Sequence, residues 1–301
     1  MIITHKINWK SCLSHQIWPM IEKGWKDEDK PIHFFWGLAG NNIAEIKKCI
    51  ESKEEYWFVD TGYISSQITR YPEPKILDEK KTYFRMCKGS FHTNKGKVNT
   101  PARLEILQKQ LGTDAEFKGW RADDRGKHIL LCPSSQTVTY QMNGISQDEW
   151  VETAKQEIKK YTDREIRFRN KPRPGNEWWE TDIKNDLKDC HALVTNYSLS
   201  AFDALFNYIP VFAEANSVMG PVTSRDISKI EKPLKPGRKT IEEWLKFVAE
   251  NQFTLKEMAD GTAYETFQSS NISLFATSSL PFFDDNVALN RTYSVSAVEV
   301  T

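Results

Sequence analysis

The sequence predicts an α/β protein with two domains, each built on a parallel β-sheet. Short apolar runs alternate along the chain with segments of helical periodicity, which is typical of strands joined by helical crossovers. Several of the apolar runs end at Gly, Pro, Asn or Ser turns, as buried parallel strands do. The 301 residues exceed the usual length of one domain, so we expect two.

The first domain is expected to span residues 1–120. Its clearest signal is the run Ile-His-Phe-Phe-Trp, a buried strand followed by a Gly-rich turn, a helix and a second strand. That order within about thirty residues has the size of a βαβ unit. A polar, basic stretch at 88–101 is expected to be an exposed loop. The expected strands lie at 32–36, 56–59 and 82–86, and the expected helices at 43–52 and 102–111.

The second domain is expected at residues 126–268, after a polar, Gly-flanked linker near 116–127. It alternates strands and helices more regularly than the first domain. Over residues 269–301, Ser, Thr and Asn increase and helical periodicity fades, so this tail either packs back on the first domain or is disordered. The expected strands lie at 128–132, 164–169, 191–195 and 209–213, and the expected helices at 147–161, 179–188, 200–206 and 241–251.

Charge and hydropathy exclude several classes of protein. The chain has 41 basic and 41 acidic residues, and this balance argues against a protein that coats nucleic acid or an anionic membrane. A basic cleft balanced by acidic residues elsewhere is compatible with the same sum. No window approaches the roughly 20 apolar residues of a membrane span, and the first residues lack a secretory signal. We therefore expect a cytoplasmic protein without membrane contact.

The cysteine pattern predicts that no metal is bound. Five cysteines are scattered without a Cys-x-x-Cys pair, which favours buried, reduced side chains over disulfides or a structural zinc site. No His-Glu-x-x-His or Gly-x-Ser-x-Gly motif occurs, and Asp123 and Asp124 are adjacent rather than spaced. We expect neither a structural metal nor a tightly bound cofactor, and we expect a monomer.

The best candidate ligand site follows the strand at 191–195, because open parallel sheets bind ligands beyond the carboxyl ends of their strands. A turn with Ser198 precedes a helix that begins near Ser200, so these hydroxyls and the N–H groups of the first turn could bind a phosphate. Asp203 lies in that turn and could accept hydrogen bonds from ribose hydroxyls. The alternative is ordinary helix capping by Ser198, with Asp203 favoured by the helix dipole.

Two further turns of the second domain contain side chains that could bind an anion. Ser134 and Ser135 follow its first strand, and such a turn can form an anion nest or simply end the strand. Lys171 and Arg173 follow its second strand, within a run of basic residues. A solvated helix end and an edge strand would explain that run, but cations at this end of the sheet also suit phosphate oxygens.

Asp60 is the candidate general base of the first domain. It comes directly after the strand at 56–59 and before Thr61-Gly62, a sequence that is also a common Asx-turn signature. A carboxylate at that end of the sheet could take the proton of an attacking hydroxyl. His33 lies inside an apolar strand, which is typical of a hydrogen-bonded core histidine, and His92 is a weaker candidate for the base.

Residues 200–211 resemble the nucleotide-sugar motif of GT-B glycosyltransferases. They read Ser-Ala-Phe-Asp-Ala-Leu-Phe-Asn-Tyr-Ile-Pro-Val, with a Ser turn, an acidic helical residue followed by Ala, and a Pro-Val strand. The sequence departs from the motif at Asp203, where Glu is usual, and at Tyr208, where Gly is usual. The resemblance implies two Rossmann-like domains that face each other across a cleft, with a nucleotide-sugar as the donor substrate.

The resemblance also implies roles for the candidate residues in a transfer that needs no metal. The serine hydroxyls are expected at the donor phosphates, Asp203 at the ribose, and the two cations at the departing nucleoside diphosphate. Asp60 is expected to deprotonate the acceptor hydroxyl from the opposite domain. The implied donor-site residues are Ser134, Ser135, Lys171, Arg173, Ser198, Ser200 and Asp203.

A second basic segment, 85–97, suggests the acceptor. Its cations alternate with aromatic residues, a pattern that suits the phosphates and an unstacked base of nucleic acid, or a sugar. The chain also generally resembles two-domain proteins of tailed phages, and some phages use GT-B enzymes to glycosylate hydroxylated pyrimidines in their DNA. Double-stranded DNA in the host cytoplasm is therefore the first candidate acceptor. The alternatives are surface or capsular polysaccharide synthesis and an inactive GT-B-like binding module. The expected DNA contacts are Arg85, Lys88, His92, Lys95 and Lys97.

Overall fold

Two large β-sheets, one two-stranded sheet and the helices between them form the part of the chain that the structure describes. The structure is a computed structural model, and it describes residues 1–5, 13–26, 29–38, 40–69, 74–92, 102–111, 117–121 and 126–269. The strands are β1 (Ile2–His5), β2 (Ile32–Trp36), β3 (Glu55–Thr61), β4 (Ile68–Thr69), β5 (Lys75–Ile76), β6 (Phe84–Lys88), β7 (His128–Leu131), β8 (Glu165–Phe168), β9 (Cys190–Val194), β10 (Val211–Phe212) and β11 (Gln252–Phe253). The helices are α1 (Ser14–Gly24), α2 (Asn42–Ser52), α3 (Ala102–Leu111), α4 (Gln136–Asn143), α5 (Gln147–Ile158), α6 (Ile183–Asp186), α7 (Ser200–Phe206), α8 (Arg238–Ala249), α9 (Leu255–Ala259) and α10 (Thr262–Ser269).

The first sheet is mixed, so the prediction of a parallel sheet is wrong for half of it. Its order is β1-β2-β3-β6-β11, in which β1, β2 and β3 are parallel. β6 runs antiparallel to β3, and β11 antiparallel to β6. The physical reason is the connection: the short antiparallel pair β4-β5 follows β3, and no helical crossover returns the chain in the same direction.

The second sheet is parallel throughout, as predicted, with the order β10-β9-β7-β8. The chain passes from β7 to β8 on one side and then crosses to β9 on the other side of β7. The connections that leave the carboxyl ends of the adjacent strands β7 and β9 therefore run to opposite sides of the sheet. Ligands of open α/β sheets bind at such a switch point. The helix predicted at 179–188 shortens to α6, because the Asp182 side chain caps it by accepting a hydrogen bond from the Lys184 N–H.

The segment after α8 returns to the first sheet. β11 pairs with β6, and α9 packs against α1. Arg103 of α3 fastens this return, since its guanidinium donates to the Ala249 and Gln252 carbonyls and to the Glu257 carboxylate. The pairing places Gln252 and Phe253, which fall within the predicted second domain, in the first sheet. The predicted domain boundaries, 1–120 and 126–268, stay a prediction.

One apolar cluster runs from the first sheet to the second. Phe58 of β3 and Tyr63 belong to the same buried cluster as Leu130 of β7, Leu193 of β9 and Phe202 of α7. A separate cluster packs α1, α9 and α10 against the other face of the first sheet. The two sheets therefore share core side chains beside the place where their strand ends meet.

Several predictions concern cysteines, membrane contact and the tail. Cys49, Cys87, Cys132 and Cys190 are buried and free, as predicted. Within the residues described above, no helix combines the length and apolarity needed to cross a bilayer. The predicted tail lies outside the described residues except for Ser269, as do residues 112–116 and 122–125 of the predicted linker.

Candidate functional site

A cavity of about 700 Å³ lies where the carboxyl ends of β3, β7, β8 and β9 meet. It contains the switch point of the second sheet and the end of β3 in the first sheet. Six of the seven predicted donor-site residues line it, and so does Asp60; Arg173 does not. The predicted residues of the cavity are Asp60, Ser134, Ser135, Lys171, Ser198, Ser200 and Asp203, and Arg85 and His92 line it as well.

Asn196 ties the turns after β7 and β9 together. Its side-chain oxygen accepts hydrogen bonds from the N–H groups of Ser134, at 2.8 Å, and Tyr197, at 3.0 Å. Its amide nitrogen donates to the Thr139 hydroxyl and the Asn143 side-chain oxygen. The Asn196 side chain is completely buried, so these bonds hold both cavity turns in one arrangement. Sequence reasoning missed this residue, because an Asn in a turn is an unspecific signal.

The serine hydroxyls hold the turns as well as line the cavity. The Ser134 hydroxyl accepts from the Tyr197 N–H, and Ser135 caps α4 by accepting from the Val138 N–H. Ser198 accepts from the N–H and the hydroxyl of Ser200 at the start of α7. Both the capping and the ligand interpretations of these serines therefore remain compatible with their positions. The first turn of α4 also opens at the cavity, where its N–H groups lack intrahelical partners.

Asp203 lies in the first turn of α7 with its carboxyl open to the cavity. The side chain is exposed at the cavity, but protein atoms surround the carboxyl group on its other sides. The burial, together with the nearby Asp182, raises the pKa of Asp203 to about 6. A carboxyl with such a pKa changes charge close to neutral pH, which is typical of functional sites.

Tyr208 has an unusual backbone conformation at the position where the motif usually has Gly. Its φ is 65°, in the left-handed region that favours glycine. The Tyr208 ring packs edge-on against Phe117.

The two cations assigned to the departing phosphates have different positions. Lys171 is exposed and lines the cavity, whereas Arg173 is exposed outside it. The cavity contains Arg169 in its place, a residue that sequence reasoning left in the basic run. Arg169 is buried and pairs with Asp186 at 2.6 Å, and it also bonds Thr181. Arg169 thereby supports the wall formed by residues 181–183. The alternation of the strand does not indicate its burial, because Arg169 follows the exposed Glu165 and Arg167 in the same two-residue register.

Asp60 on the opposite wall is held by a buried cation. Arg85 of β6 donates to the Asp60 carboxylate at 3.1 Å and to the Thr61 carbonyl at 3.0 Å. The second Asp60 oxygen accepts from the Thr61 N–H. A Cβ at Gly62 would lie 2.6 Å from the Tyr83 carbonyl oxygen, so glycine allows the chain to turn here beside β6. The carboxylate is thus held in one orientation and three-quarters buried.

His92 reaches the cavity as a neutral ring. Its Nδ1 accepts a hydrogen bond from the Val218 N–H, so in the neutral ring the proton is on Nε2. Burial and the charge of Arg85 lower the pKa of His92 well below its usual value. Among the described residues, Nε2 has no hydrogen-bond partner. The ring stacks on Phe91 and meets Tyr63 and Tyr197 edge-on.

The predicted DNA contacts do not form a basic surface. Arg85 is 3 % exposed and pairs with Asp60, and His92 is 4 % exposed and uncharged. Lys88 pairs with Glu55 across β3 and β6 at 2.6 Å. The prediction of an exposed loop at 88–101 is wrong for Lys88, which belongs to β6, and for His92, which is buried beside Phe91. Arg85 lies in a strand, as predicted. Lys95 and Lys97 lie outside the described residues.

Comparisons with known proteins find similarity at the level of solved structures, and two of these structures are transferases. No family model and no curated protein matches the chain. Thermosulfurimonas dismutans KpsC, beta Kdo 2,4 transferase, has a TM-score of 0.45 at 11% identity, over 76% of this chain and 85% of that chain. The beta Kdo 2,7 transferase of the same KpsC has a TM-score of 0.44 at 12% identity, over 88% of this chain and 98% of that chain. TM-scores of this size establish neither a shared fold nor a shared activity.

Proposed function

We propose that the protein is a glycosyltransferase that moves a sugar from a nucleotide-sugar donor to a hydroxyl group of a saccharide. The observation that carries the proposal is the cavity at the switch point of the second sheet. There the carboxyl ends of strands from both sheets bring predicted donor-site residues within one space with Asp60. The glycine-like backbone at Tyr208 and the volume of about 700 Å³ support a ligand of nucleotide-sugar size.

The donor is proposed to lie against the turns that Asn196 fastens. The hydroxyls of Ser135 and Ser198 and the first turn of α4 would donate hydrogen bonds to phosphate oxygens. Lys171 would add a point charge that stabilises the nucleoside diphosphate as it leaves. Asp203 would accept from ribose hydroxyls in its ionised form.

The transfer step is proposed to use Asp60 as the base. The acceptor oxygen forms a bond to the anomeric carbon while its proton passes to the Asp60 carboxylate. The bond from that carbon to the phosphate oxygen breaks, and its electron pair stays with the diphosphate. Arg85 holds the carboxylate in its orientation before the proton arrives.

The charges around the cavity favour a saccharide over DNA as the acceptor. Three cationic side chains and three carboxylates line it, while His92 is neutral. Arg85 is paired with Asp60 and Arg169 with Asp186, so this surface lacks the excess of positive charge that a polyanionic duplex needs. Aromatic rings that line the cavity suit the faces of sugars. These are Tyr63, Phe91, Tyr197 and Phe202.

A transfer screen tests the proposal. The full chain is incubated with a panel of nucleotide-sugars and either oligosaccharides or duplex DNA with hydroxymethylated pyrimidines, and products are read by mass spectrometry. We expect a mass increase of one sugar on an oligosaccharide and none on DNA. Transfer to DNA would overturn the saccharide assignment, and an absence of both transfer and nucleotide binding would overturn the enzyme assignment in favour of a binding module.

A further inference from the structure

A second cluster of chemically active side chains lies on the first sheet, away from the cavity. His33 of β2, Cys49 of α2 and Glu54 from the turn before β3 each offer one ligand atom, and these atoms lie within 4.8 Å of one another. No spaced motif marks the three residues, since they come from a strand, a helix and a turn. The fold alone brings them together.

The two nitrogens of His33 have different environments. Nδ1 lies 2.9 Å from Nε2 of His5 on the neighbouring strand β1, within hydrogen-bond distance. Nε2 is inaccessible to solvent and has no hydrogen-bond partner among the described residues. Metal-binding histidines in proteins generally have this arrangement, in which one nitrogen is held by a neighbour and the other is a ligand.

The distances fit a tetrahedral ion. The His33 Nε2 and Glu54 Oε2 atoms are 3.4 Å apart, without the alignment of a hydrogen bond. Two ligands at the usual zinc–nitrogen and zinc–oxygen distances of about 2.1 Å would be about 3.4 Å apart at a tetrahedral angle. A thiolate, an imidazole and a carboxylate together select Zn²⁺ over Mg²⁺ or Ca²⁺, which prefer oxygen ligands.

We propose that His33, Cys49 and Glu54 form a zinc site with water as the fourth ligand. His33 lies near the start of β2 and Glu54 directly before β3, whereas Asp60 lies near the end of β3. The ion therefore joins α2 to the amino-terminal end of the sheet, at the end opposite the cavity. Cys49 is buried beside Phe35, Ile46 and Tyr56, while Glu54 stays partly exposed and leaves room for the water.

A cobalt titration of the full chain tests the site. The protein is purified with a non-thiol reductant, stripped with a chelator and titrated with Co²⁺, which reports tetrahedral geometry and thiolate ligation in its absorption spectrum. We expect one Co²⁺ per chain with a thiolate charge-transfer band, displaced by Zn²⁺ and not by Mg²⁺. The Cys49→Ser variant should lose the band, whereas Cys190→Ser, a buried cysteine in β9, should keep it.

Two further variants separate ligation from folding. Glu54→Gln changes a partly exposed side chain, so the fold should persist while Co²⁺ affinity falls. His5→Phe removes the neighbour of His33, and loss of such an outer partner should weaken binding about 10- to 100-fold. Wild-type affinity in both Glu54→Gln and Cys49→Ser, or a wild-type spectrum without a thiolate band, would overturn the zinc site.

Discussion

The side-chain oxygen of Asn196 accepts a hydrogen bond from the N–H of Ser134 at 2.8 Å, across the switch point of the second sheet. Asn196→Ala should lower the free energy of unfolding by about 2–4 kcal/mol, because it leaves buried polar groups of both turns without partners. The same variant should weaken nucleotide-sugar binding, since the donor turns lose their fixed positions. Chemical denaturation and calorimetry measure the two effects, and the exposed Asn185→Ala is the control. Unchanged donor affinity in Asn196→Ala would show that the turns do not bind the donor.

Arg103 is predicted to be a main stabilising contact of the returning segment 252–269. Its guanidinium is 7 % exposed, pairs with Glu257 at 2.9 Å and lies over the Phe253 ring. Arg103→Ala should lower the free energy of unfolding by about 3–5 kcal/mol, because the Ala249 and Gln252 carbonyls lose their donor and Glu257, which is 15 % exposed, loses its cationic partner. Arg103→Lys should restore little, since an ammonium group cannot reproduce the forked contacts.

The control for Arg103 is the exposed ion pair of α8. Arg238 pairs with Glu242 at 2.7 Å, and Arg238→Ala should change the free energy of unfolding by about 1 kcal/mol or less. Equal losses in Arg238→Ala and Arg103→Ala would contradict the role given to the buried contacts.

Asp203 is predicted to make donor binding depend on pH. Its pKa is raised to about 6 by burial, and a ribose hydroxyl donates to the ionised form. Affinity for a nucleotide-sugar should be full above this pKa and should fall as the pH drops through it. A nucleotide-sugar is the suitable probe because its diphosphate, esterified at both ends, does not titrate in this range. Calorimetry of Asp203→Asn should give a weaker affinity that no longer changes with pH.

The raised pKa of Asp203 also predicts that the stability of the fold falls as the pH rises, whereas donor affinity increases. The folded pKa of Asp203 is higher than its ordinary value of 3.8, so its stabilising contribution is present below the ordinary pKa. That contribution is lost as the pH rises through about 6. Asp203→Asn should therefore raise the Tm above this pKa and leave it nearly unchanged in acid. An equal gain at both pH values would contradict the raised pKa.

Asp60→Asn is predicted to abolish transfer while leaving donor binding intact. Loss of a general base costs about 10²- to 10⁴-fold in rate, and the donor lies on the other wall. The matched control is Glu55→Gln, which breaks the other carboxylate–cation pair between β3 and β6, outside the cavity. Initial rates and calorimetry distinguish the outcomes. An equal loss of rate in Glu55→Gln would show that Asp60 only stabilises the sheet through its ion pair and is not the base.

The central strands were predictable from continuous apolar runs, and α7 from its helical periodicity. The strand at 32–36 and the helices at 102–111 and 200–206 have the predicted bounds, since apolar runs and helical periodicity record burial directly. The direction of β6 and the return of β11 depend on long-range pairing that a local pattern does not contain. Two-residue strands such as β11 are also too short to show alternation.

The site residues that directly follow strands were predictable from the sequence. The charged residues that are buried beside a partner were not. Ser134, Ser200 and Asp60 lie at the cavity because parallel strand ends converge. Arg85 and His92 look like an exposed basic segment in the sequence, yet Asp60 and the aromatic rings around them allow both to be buried. Arg169 and Asn196 carry no local signal of their roles, because Arg169 bonds Thr181, 12 residues away, and Asn196 bonds Ser134, 62 residues away.

The most direct measurement of the central claim is a calorimetric titration of the full chain with a panel of nucleotide-sugars. We expect one donor to bind each chain at a single site, and Lys171→Met to weaken it about tenfold, the loss of one charge-assisted contact of about 1.4 kcal/mol. Lys159→Met, which removes an exposed lysine at the end of α5, should bind as the wild type does. No binding of any nucleotide-sugar, or equal affinities of wild type and Lys171→Met, would contradict a donor site in this cavity.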